Sequence, residues 1–231
     1  MSRANAVVLL SGGMDSAVLL YHLLSQDYDV RALTVHYGQR HAREIASARE
    51  IAAGVGVPHD VCNLETLREL LSGSSQTDDT IAVPQGHYTD LVMKQTVVPN
   101  RNMLLLAVAA ATAISHGMNT VAYAAHAGDH CIYPDCRPEF VAALRGALAL
   151  CHYDGGVQLI APFAQSHTKS DLVTLGTQLN VPFVATWTCY EGRTYHCGRC
   201  GTCVERLLAF LDAGITDPVV YMDREYWRTQ T

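Results

Sequence analysis

Lysine is nearly absent from this sequence, since only Lys94 and Lys169 occur and arginine supplies the other positive charges. Acidic residues outnumber basic ones by 22 to 16, which gives a formal net charge of -6. Proteins that bind nucleic acid along an extended surface normally carry an excess of positive charge. The composition therefore argues against a nucleic-acid partner.

Long hydrophobic runs are missing as well. No segment approaches the ~20 consecutive apolar residues of a membrane-spanning helix, and Ser11, Gly12 and Gly13 interrupt the first apolar run after Leu10. We therefore expect no membrane association and a cytoplasmic location. Disulfides are rare in that compartment, so the 8 cysteines indicate metal binding before cross-linking.

Two common nucleotide-binding signatures do not occur: Gly-x-x-x-x-Gly-Lys-[Ser/Thr] and Gly-x-Gly-x-x-Gly. The first apolar segment is followed instead by Ser-Gly-Gly-Met-Asp-Ser at 11–16. Backbone N–H groups at the start of a helix bind phosphate oxygens, and glycines let the backbone approach them closely. The loop predicts a phosphate site, although a tight turn with a helix cap is an alternative.

Short apolar segments alternate along the chain with segments of helical periodicity. This alternation predicts an α/β fold, with a Rossmann-like parallel sheet and helical crossovers. The predicted strands are 6–10, 30–35, 58–64, 120–125 and 157–160. The predicted helices are 17–24, 41–55, 102–116, 140–150, 170–179 and 202–211. The polar segment 72–90 is expected to be a long surface loop that could act as a lid.

Four cysteines between 189 and 203 follow the pattern C-x7-C-x2-C-x2-C: Cys189, Cys197, Cys200 and Cys203. Four thiolates complete a tetrahedral Zn²⁺ site without an open position, so the expected metal is structural, one per chain. An iron–sulfur cluster and four ordinary core cysteines are the alternatives. Because the composition changes near residue 183, we predict an α/β domain at 1–183 and a small zinc-binding helical module at 184–231.

Polar fragments follow predicted strands at 37–41 and 129–137, and another begins a predicted helix at 99–102. Ligands of open α/β sheets bind beyond the carboxyl ends of the strands, so we expect these fragments to form one site. Taken singly, each fragment also fits a helix cap, a polar loop or a salt bridge.

The loop at 11–16 resembles the pyrophosphate loop (PP-loop) of the N-type ATP pyrophosphatases, whose sheet is of the adenine nucleotide α-hydrolase type. Further fragments are Tyr-Gly-Gln-Arg-His at 37–41, Arg-Asn at 101–102 and Tyr-Pro-Asp-Cys-Arg at 133–137. Together with the cysteines they resemble the 7-cyano-7-deazaguanine synthase family over about 7–210.

The resemblance implies a ligase of queuosine biosynthesis that uses ATP, Mg²⁺ and ammonia. Its implied substrate is 7-carboxy-7-deazaguanine, which passes through an adenylate and an amide to the nitrile, preQ0, with release of AMP and pyrophosphate. The resemblance also implies a homodimer.

The expected site residues follow from the motifs. ATP binding is expected at Leu10, Ser11, Gly12, Gly13, Met14, Asp15, Ser16, Ala17, Val18, Leu19 and Leu20. Catalytic roles are expected for Asp15, Ser16, Lys169 and Arg101, with Asp15 holding Mg²⁺ and Lys169 the departing pyrophosphate. Substrate binding is expected at Tyr37, Gln39, Arg40, Asn102, Asp129, Tyr133, Asp135 and Arg137.

Three residues depart from the family pattern: Asn100 replaces a glycine, and Cys131 and Ile132 replace Ser-Gly before the Tyr-Pro-Asp-Cys-Arg motif. Because these changes lie beside the expected substrate, an enzyme that stops at the amide is an alternative. A tRNA-modifying enzyme with the same loop and a non-enzymatic zinc-ribbon module are two others. The pattern assigns no role to Cys131 or Cys136.

Overall fold

The computed structural model describes residues 3–41, 43–87, 94–129 and 133–229. Five parallel strands form one sheet in the order β3-β2-β1-β4-β5. They are β1 (Asn5–Leu9), β2 (Asp29–His36), β3 (His59–Asn63), β4 (Thr120–Ala122) and β5 (Gln158–Ile160). The predicted parallel α/β sheet is confirmed.

Six α-helices of the described residues pack on the two faces of this sheet. They are α1 (Met14–Ser25), α2 (Arg43–Val55), α3 (Arg101–Ser115), α4 (Pro138–Leu148), α5 (Lys169–Gln178) and α6 (Gly201–Asp212). Buried side chains of α1, α2, α5 and α6 form one core, and those of α3 and α4 form the other. Within the described residues, no helix is both long and apolar enough to cross a membrane.

The sequence of the central strand β1 is apolar from Ala6 onward because both faces of the strand are buried. Ala6 and Val8 belong to the core on one face of the sheet, and Val7 belongs to the core on the other face. Because successive side chains point to opposite faces, a strand covered on both faces is apolar at every position.

The order of the strands reverses beside β1. The chain runs from β1 outward through β2 and β3, and then returns to place β4 on the other side of β1. The connections that leave β1 and β4 diverge at such a switch point, which opens a crevice beyond the carboxyl ends of the strands. This topology brings the loop at 11–16 next to the segment that follows β4.

The predicted surface loop at 72–90 is wrong in its first part, because the four side chains of 74–77 are buried. Gln76 has partners distant in sequence: its Nε2 donates to the Thr96 carbonyl at 2.7 Å, and the Arg40 N–H donates to the Gln76 carbonyl at 2.8 Å. These hydrogen bonds allow Gln76 to lie inside the fold, whereas the Ser75 hydroxyl is buried without a partner among the described residues. Positions 88–90 lie outside the described residues.

The chain after residue 183 is joined closely to the sheet domain. The rings of Phe183 and Phe210 meet edge to face with centroids 5.1 Å apart, and Phe210 on α6 belongs to the same core as α1. A division into units at 1–183 and 184–231 stays a prediction.

Candidate active site

The loop between β1 and α1 has the geometry of a phosphate cradle. Gly12 has φ +91°, and a Cβ atom there would lie 2.1 Å from the Glu44 carbonyl oxygen, so only glycine fits. The Ser16 hydroxyl donates to the Gly13 carbonyl at 3.1 Å, and the Ser11 N–H donates to Ser16 Oγ at 3.2 Å. These bonds hold the loop at the N-terminus of α1, where the helix dipole and N–H groups attract anions.

A cluster of charged side chains lies beside this loop. Lys169 Nζ is 2.7 Å from Glu205 Oε2 and 3.7 Å from Asp15 Oδ2. His126 Nε2 is 3.5 Å from Asp129 Oδ1 and 3.9 Å from Asp15 Oδ2. The second oxygen of Asp15 is buried without a hydrogen-bond partner in the described structure. Because hard divalent cations prefer carboxylate oxygens, Asp15 and Asp129 fit Mg²⁺.

Burial and neighbouring charges set the ionisation of this cluster. Burial alone lowers the pKa of Lys169, but Asp15, Glu205 and Asp129 outweigh it and raise that pKa above the usual value. Lys169 is therefore a fixed positive charge. Burial raises the pKa of the Asp129 carboxyl, while His126 and Lys169 partly offset this effect.

Arg101, the first residue of α3, lies among tyrosines instead of carboxylates. Within the described residues, the guanidinium makes no ion pair, and its Nη1 donates to Gln76 Oε1 at 3.5 Å. Burial lowers the pKa of Arg101, but Tyr37, Tyr190 and Tyr133 outweigh it and raise that pKa. A permanent positive charge without an acidic partner suits a negatively charged ligand.

One cavity of about 250 Å³ connects the phosphate loop with Arg101. A water molecule needs only ~10–15 Å³ on this measure, so the cavity accepts an organic ligand. His41, the last residue of the motif at 37–41, also lines the cavity. Polar and aromatic groups of the lining that the motifs did not single out are Thr34, Glu44, Gln76, Tyr123, Trp187, Thr188, Tyr190, Thr202 and Glu205.

The motif at 133–137 packs against the beginning of α3. Asp135 Oδ2 accepts the Asn102 N–H at 3.2 Å, and Asn102 Nδ2 donates to Cys136 Sγ at 3.4 Å. Asn100 has φ +54°, a left-handed conformation that asparagine tolerates better than most residues with a side chain. The asparagine at 100 is therefore compatible with a backbone conformation that glycine also adopts. Burial raises the pKa of Cys136, so its thiol stays protonated.

The structure brings most of the predicted site residues into the cavity wall. Those that line it are Leu10, Ser11, Gly13, Met14, Asp15, Ser16, Tyr37, Gln39, Arg101, Asn102, Asp129, Tyr133 and Lys169. Gly12 supports the loop through its backbone. Ala17, Val18, Leu19 and Leu20 are fully buried in the core, so their side chains support the site by packing.

Three residues predicted to bind substrate lie outside this lining. Arg40 Nε donates to Asp79 Oδ1 at 3.0 Å, and its Nη2 donates to the Asp78 carbonyl at 2.9 Å, so the side chain holds the segment at 78–81. Asp135 caps α3, and Arg137 is exposed. Cys131 and Ile132 lie outside the described residues.

His126 and Glu205 are site residues that the motifs missed. A signal for His126 was its place directly after the predicted strand at 120–125, and one for Glu205 was its place two residues after Cys203 on a predicted helix. Neither position reveals that His126 lies near Asp15 and that Glu205 contacts Lys169, because these contacts depend on how β1, β4 and α6 pack.

The four predicted metal-binding cysteines converge at one buried point, with all Sγ atoms within 4.8 Å of one another: Cys189, Cys197, Cys200 and Cys203. The Cys197 N–H donates to Cys189 Sγ at 3.3 Å, and the Cys200 N–H donates to Cys197 Sγ at 3.2 Å. Gly198 has φ +76°, and a Cβ there would lie 1.7 Å from the Asp223 carbonyl oxygen. Four clustered thiolates suit a structural metal site.

The cysteine cluster also supports the wall of the cavity. The Trp187 N–H donates to the Gly12 carbonyl at 2.9 Å, and its indole N–H donates to the Cys189 carbonyl at 2.8 Å. Thr188 and Tyr190 line the cavity on either side of Cys189. Trp187, whose backbone contacts the phosphate loop, is therefore only two residues before Cys189 of the cysteine cluster.

Comparisons with known proteins show the family to which this chain is similar. The family model described as Queuosine biosynthesis protein QueC matches residues 5–214. A 7-cyano-7-deazaguanine synthase of Methanoregula boonei is 49% identical over 216 residues, covering 94% of this chain and 98% of that protein. The enzyme of that name from Caldicellulosiruptor bescii is 48% identical, covering 94% and 96%.

Among solved structures, the NMN synthetase from Francisella tularensis is similar with a TM-score of 0.50 and 16% sequence identity. The match covers 99% of this chain and 84% of that one. At this identity the likeness concerns the fold alone, and it agrees with the parallel sheet described above.

Proposed function

Because this chain belongs to the Queuosine biosynthesis protein QueC family, we propose that it converts 7-carboxy-7-deazaguanine and ammonia to 7-cyano-7-deazaguanine as an ATP-dependent carbon–nitrogen ligase. The observation that carries this proposal is a cavity that joins a phosphate loop to Arg101, a guanidinium with no acidic partner in the described part of the chain. One end suits the phosphates of ATP, and the other suits the carboxylate of the substrate.

The first step joins the two ligands. Arg101 orients the substrate carboxylate, one oxygen of which attacks the α-phosphate of ATP, and pyrophosphate leaves. The loop N–H groups, the Ser16 hydroxyl and Lys169 hold the departing pyrophosphate where its charge develops. Mg²⁺, held by Asp15 and Asp129, would neutralise part of the phosphate charge.

The second step replaces AMP with nitrogen. Ammonia adds to the carbonyl carbon of the acyl-adenylate, the bond to the AMP oxygen breaks, and the amide remains in the cavity with loss of one proton. A second ATP then activates the amide oxygen in the same way. Loss of AMP and the remaining N–H protons gives the nitrile, and the release of AMP and pyrophosphate fits a loop without a kinase-type lysine.

The identity of the expected metal is inferred from the atoms that would bind it. We expect one Zn²⁺ per chain at the four cysteines, because thiolate sulfurs in a closed tetrahedral arrangement favour zinc and leave no position for a substrate. Its role is to hold the segment at 187–190 against the phosphate loop. A cytoplasmic homodimer stays a prediction from the family resemblance.

Isotope transfer tests this proposal directly. The substrate carboxylate is labelled with ¹⁸O, the protein is given ATP and ammonia, and the AMP is analysed by mass spectrometry. Attack by the carboxylate on the α-phosphate predicts one ¹⁸O in each AMP from the first step. Unlabelled AMP, or ADP with orthophosphate as direct products, would contradict the mechanism.

A further inference from the structure

Amide formation releases a proton from the attacking nitrogen, and most ionisable groups that line the cavity cannot take it. Lys169 and Arg101 keep their protons because their pKa values are raised. Burial likewise raises the pKa of the other weak acids in the described lining, which are Tyr37, Tyr123, Tyr133, Tyr190 and Cys136. All of these groups donate hydrogen bonds but do not accept the proton of ammonia.

The carboxylates of the described lining have other partners. Asp15 and Glu205 contact Lys169, and Asp129 contacts His126, all beside the phosphate loop. The remaining carboxylate is Glu44 on α2, which contacts His41. The one imidazole in the described part of the lining is that of His41.

His41 has the geometry of an oriented base. Its side chain is 2% exposed, and Nε2 lies 3.2 Å from Glu44 Oε2. Because a carboxylate oxygen lies beside Nε2, we assign the hydrogen of the neutral ring to Nε2 and the basic lone pair to Nδ1. Nδ1 is buried and has no hydrogen-bond partner among the described residues. The ring packs against Tyr190, with centroids 5.1 Å apart, in the same wall as Arg101.

We propose that His41 is a further catalytic residue, whose Nδ1 accepts a proton from the ammonia nitrogen during its attack on the acyl-adenylate. This inference rests on the proposed function. In the step the N–C bond forms, the C–O bond breaks with its electron pair on the AMP oxygen, and one proton passes to His41. Glu44 orients the ring and stabilises the resulting imidazolium.

The test separates adenylation from attack by ammonia. Glutamine at 41 can still donate to Glu44 but offers no basic nitrogen, so His41→Gln should slow amide formation by about 10²- to 10⁴-fold. Substrate-dependent exchange between ATP and labelled pyrophosphate, measured without ammonia, should change by less than about 3-fold. His22→Gln on α1, outside the cavity lining, is the control and should behave like the unaltered protein.

The pH profile provides a readout that a structural role would not change. With the concentration of unprotonated ammonia held constant at each pH, amide formation by the unaltered chain should rise with pH through one ionisation. His41→Gln should lose that rise. Glu44→Gln should slow amide formation by a smaller factor without affecting exchange, and it carries the test if His41→Gln does not fold.

The outcomes distinguish the two proposals. No substrate-dependent exchange by the unaltered chain would overturn the proposed function and this role with it. Normal exchange and normal amide formation in His41→Gln would overturn the role of His41 alone. Equal losses of exchange and amide formation, at an unchanged melting temperature, would make His41 a binding residue and would also overturn it.

Discussion

In the proposed mechanism, the two ends of the cavity have different roles: Asp15 acts on ATP at one end, and Arg101 binds the substrate carboxylate at the other. Asp15 has one oxygen near Lys169 and His126, and another that is buried without a partner in the described structure. Leaving a buried carboxylate oxygen unsatisfied is costly, and native proteins keep such atoms mainly where a ligand completes them. Asp15 is therefore expected to act on ATP rather than to stabilise the fold.

We expect Asp15→Ala to reduce ATP–pyrophosphate exchange by at least about 10²-fold, the scale of losing one group that stabilises transition-state charge. The melting temperature should change by only a few degrees, roughly within what 1 kcal/mol produces at this size. Asp154→Ala, at an exposed turn, is the control. Exchange at a near-normal rate would show that Asp15 only supports the start of α1.

In the proposed mechanism, Arg101 binds the substrate carboxylate. Replacing it with methionine removes the charge but keeps an unbranched side chain, and losing a hydrogen bond to a charged group costs about 1.5–3 kcal/mol. KM for the deazaguanine carboxylate should rise by roughly 10- to 100-fold, with little change in KM for ATP. Arg49→Met, on the exposed side of α2, serves as the control. Equal KM values for the substrate in both variants would contradict this role.

The helix α6 contributes residues to the cysteine cluster, to the cavity lining and to the core. Its first turns carry Cys203 and Glu205, and Phe210 near its end packs in the main core. Behind the cluster, buried Arg206 makes two hydrogen bonds to Asp217, at 2.9 and 3.0 Å. Substitutions in the cysteine cluster or in this ion pair should therefore lower the stability of the whole protein.

Cys200→Ser should lose the metal and thermal stability together. Structural zinc contributes several kcal/mol to folding, and each kcal/mol corresponds to about 2–4 °C in Tm at this size, so a decrease of about 10 °C is expected. Elemental analysis and calorimetry measure both effects. Cys151→Ser, at an exposed cysteine, should keep one zinc and its Tm. Iron with sulfide, or no metal in the unaltered chain, would refute the zinc assignment.

Asp217→Asn should destabilise the protein by about 3–5 kcal/mol, because it leaves the Arg206 charge buried without its partner. Both side chains of the pair are 0% exposed. The matched control is Glu225→Gln, whose partner Arg228 is 2.8 Å away while both side chains are about 60% exposed; it should cost at most about 1 kcal/mol. Denaturant unfolding of the two variants checks this, and equal costs would show that burial of the pair does not determine its contribution.

Across the whole molecule, the sequence predicted correctly those structural features that depend on residues close together along the chain. Apolar strands buried on both faces and the spaced cysteines depend on neighbours along the chain, so the sheet and the cysteine cluster were predictable. Gln76 looked like part of a surface loop because its partner Thr96 is 20 positions away. Arg40 looked like a ligand-binding residue because its partner Asp79 is 39 positions away. Contacts of this kind appear only when the topology is known.

The topology also explains why both ends of the reaction share one cavity. The reversal of strand order between β1 and β4 places the phosphate loop beside Asp129, and α3 brings Arg101 to the same crevice. A substrate held there can meet two successive ATP molecules if the amide stays bound. The family departures at Cys131 and Ile132 directly precede the motif at 133–137, so the end product of the reaction is the property that these two positions are expected to affect.

A time course with excess ATP and ammonia, followed by mass spectrometry, distinguishes the nitrile from the amide as the end product. We expect 7-amido-7-deazaguanine to appear first and then to convert to 7-cyano-7-deazaguanine, with two AMP and two pyrophosphate released per nitrile. Amide that accumulates as the end product, with one ATP consumed per substrate, would contradict this expectation.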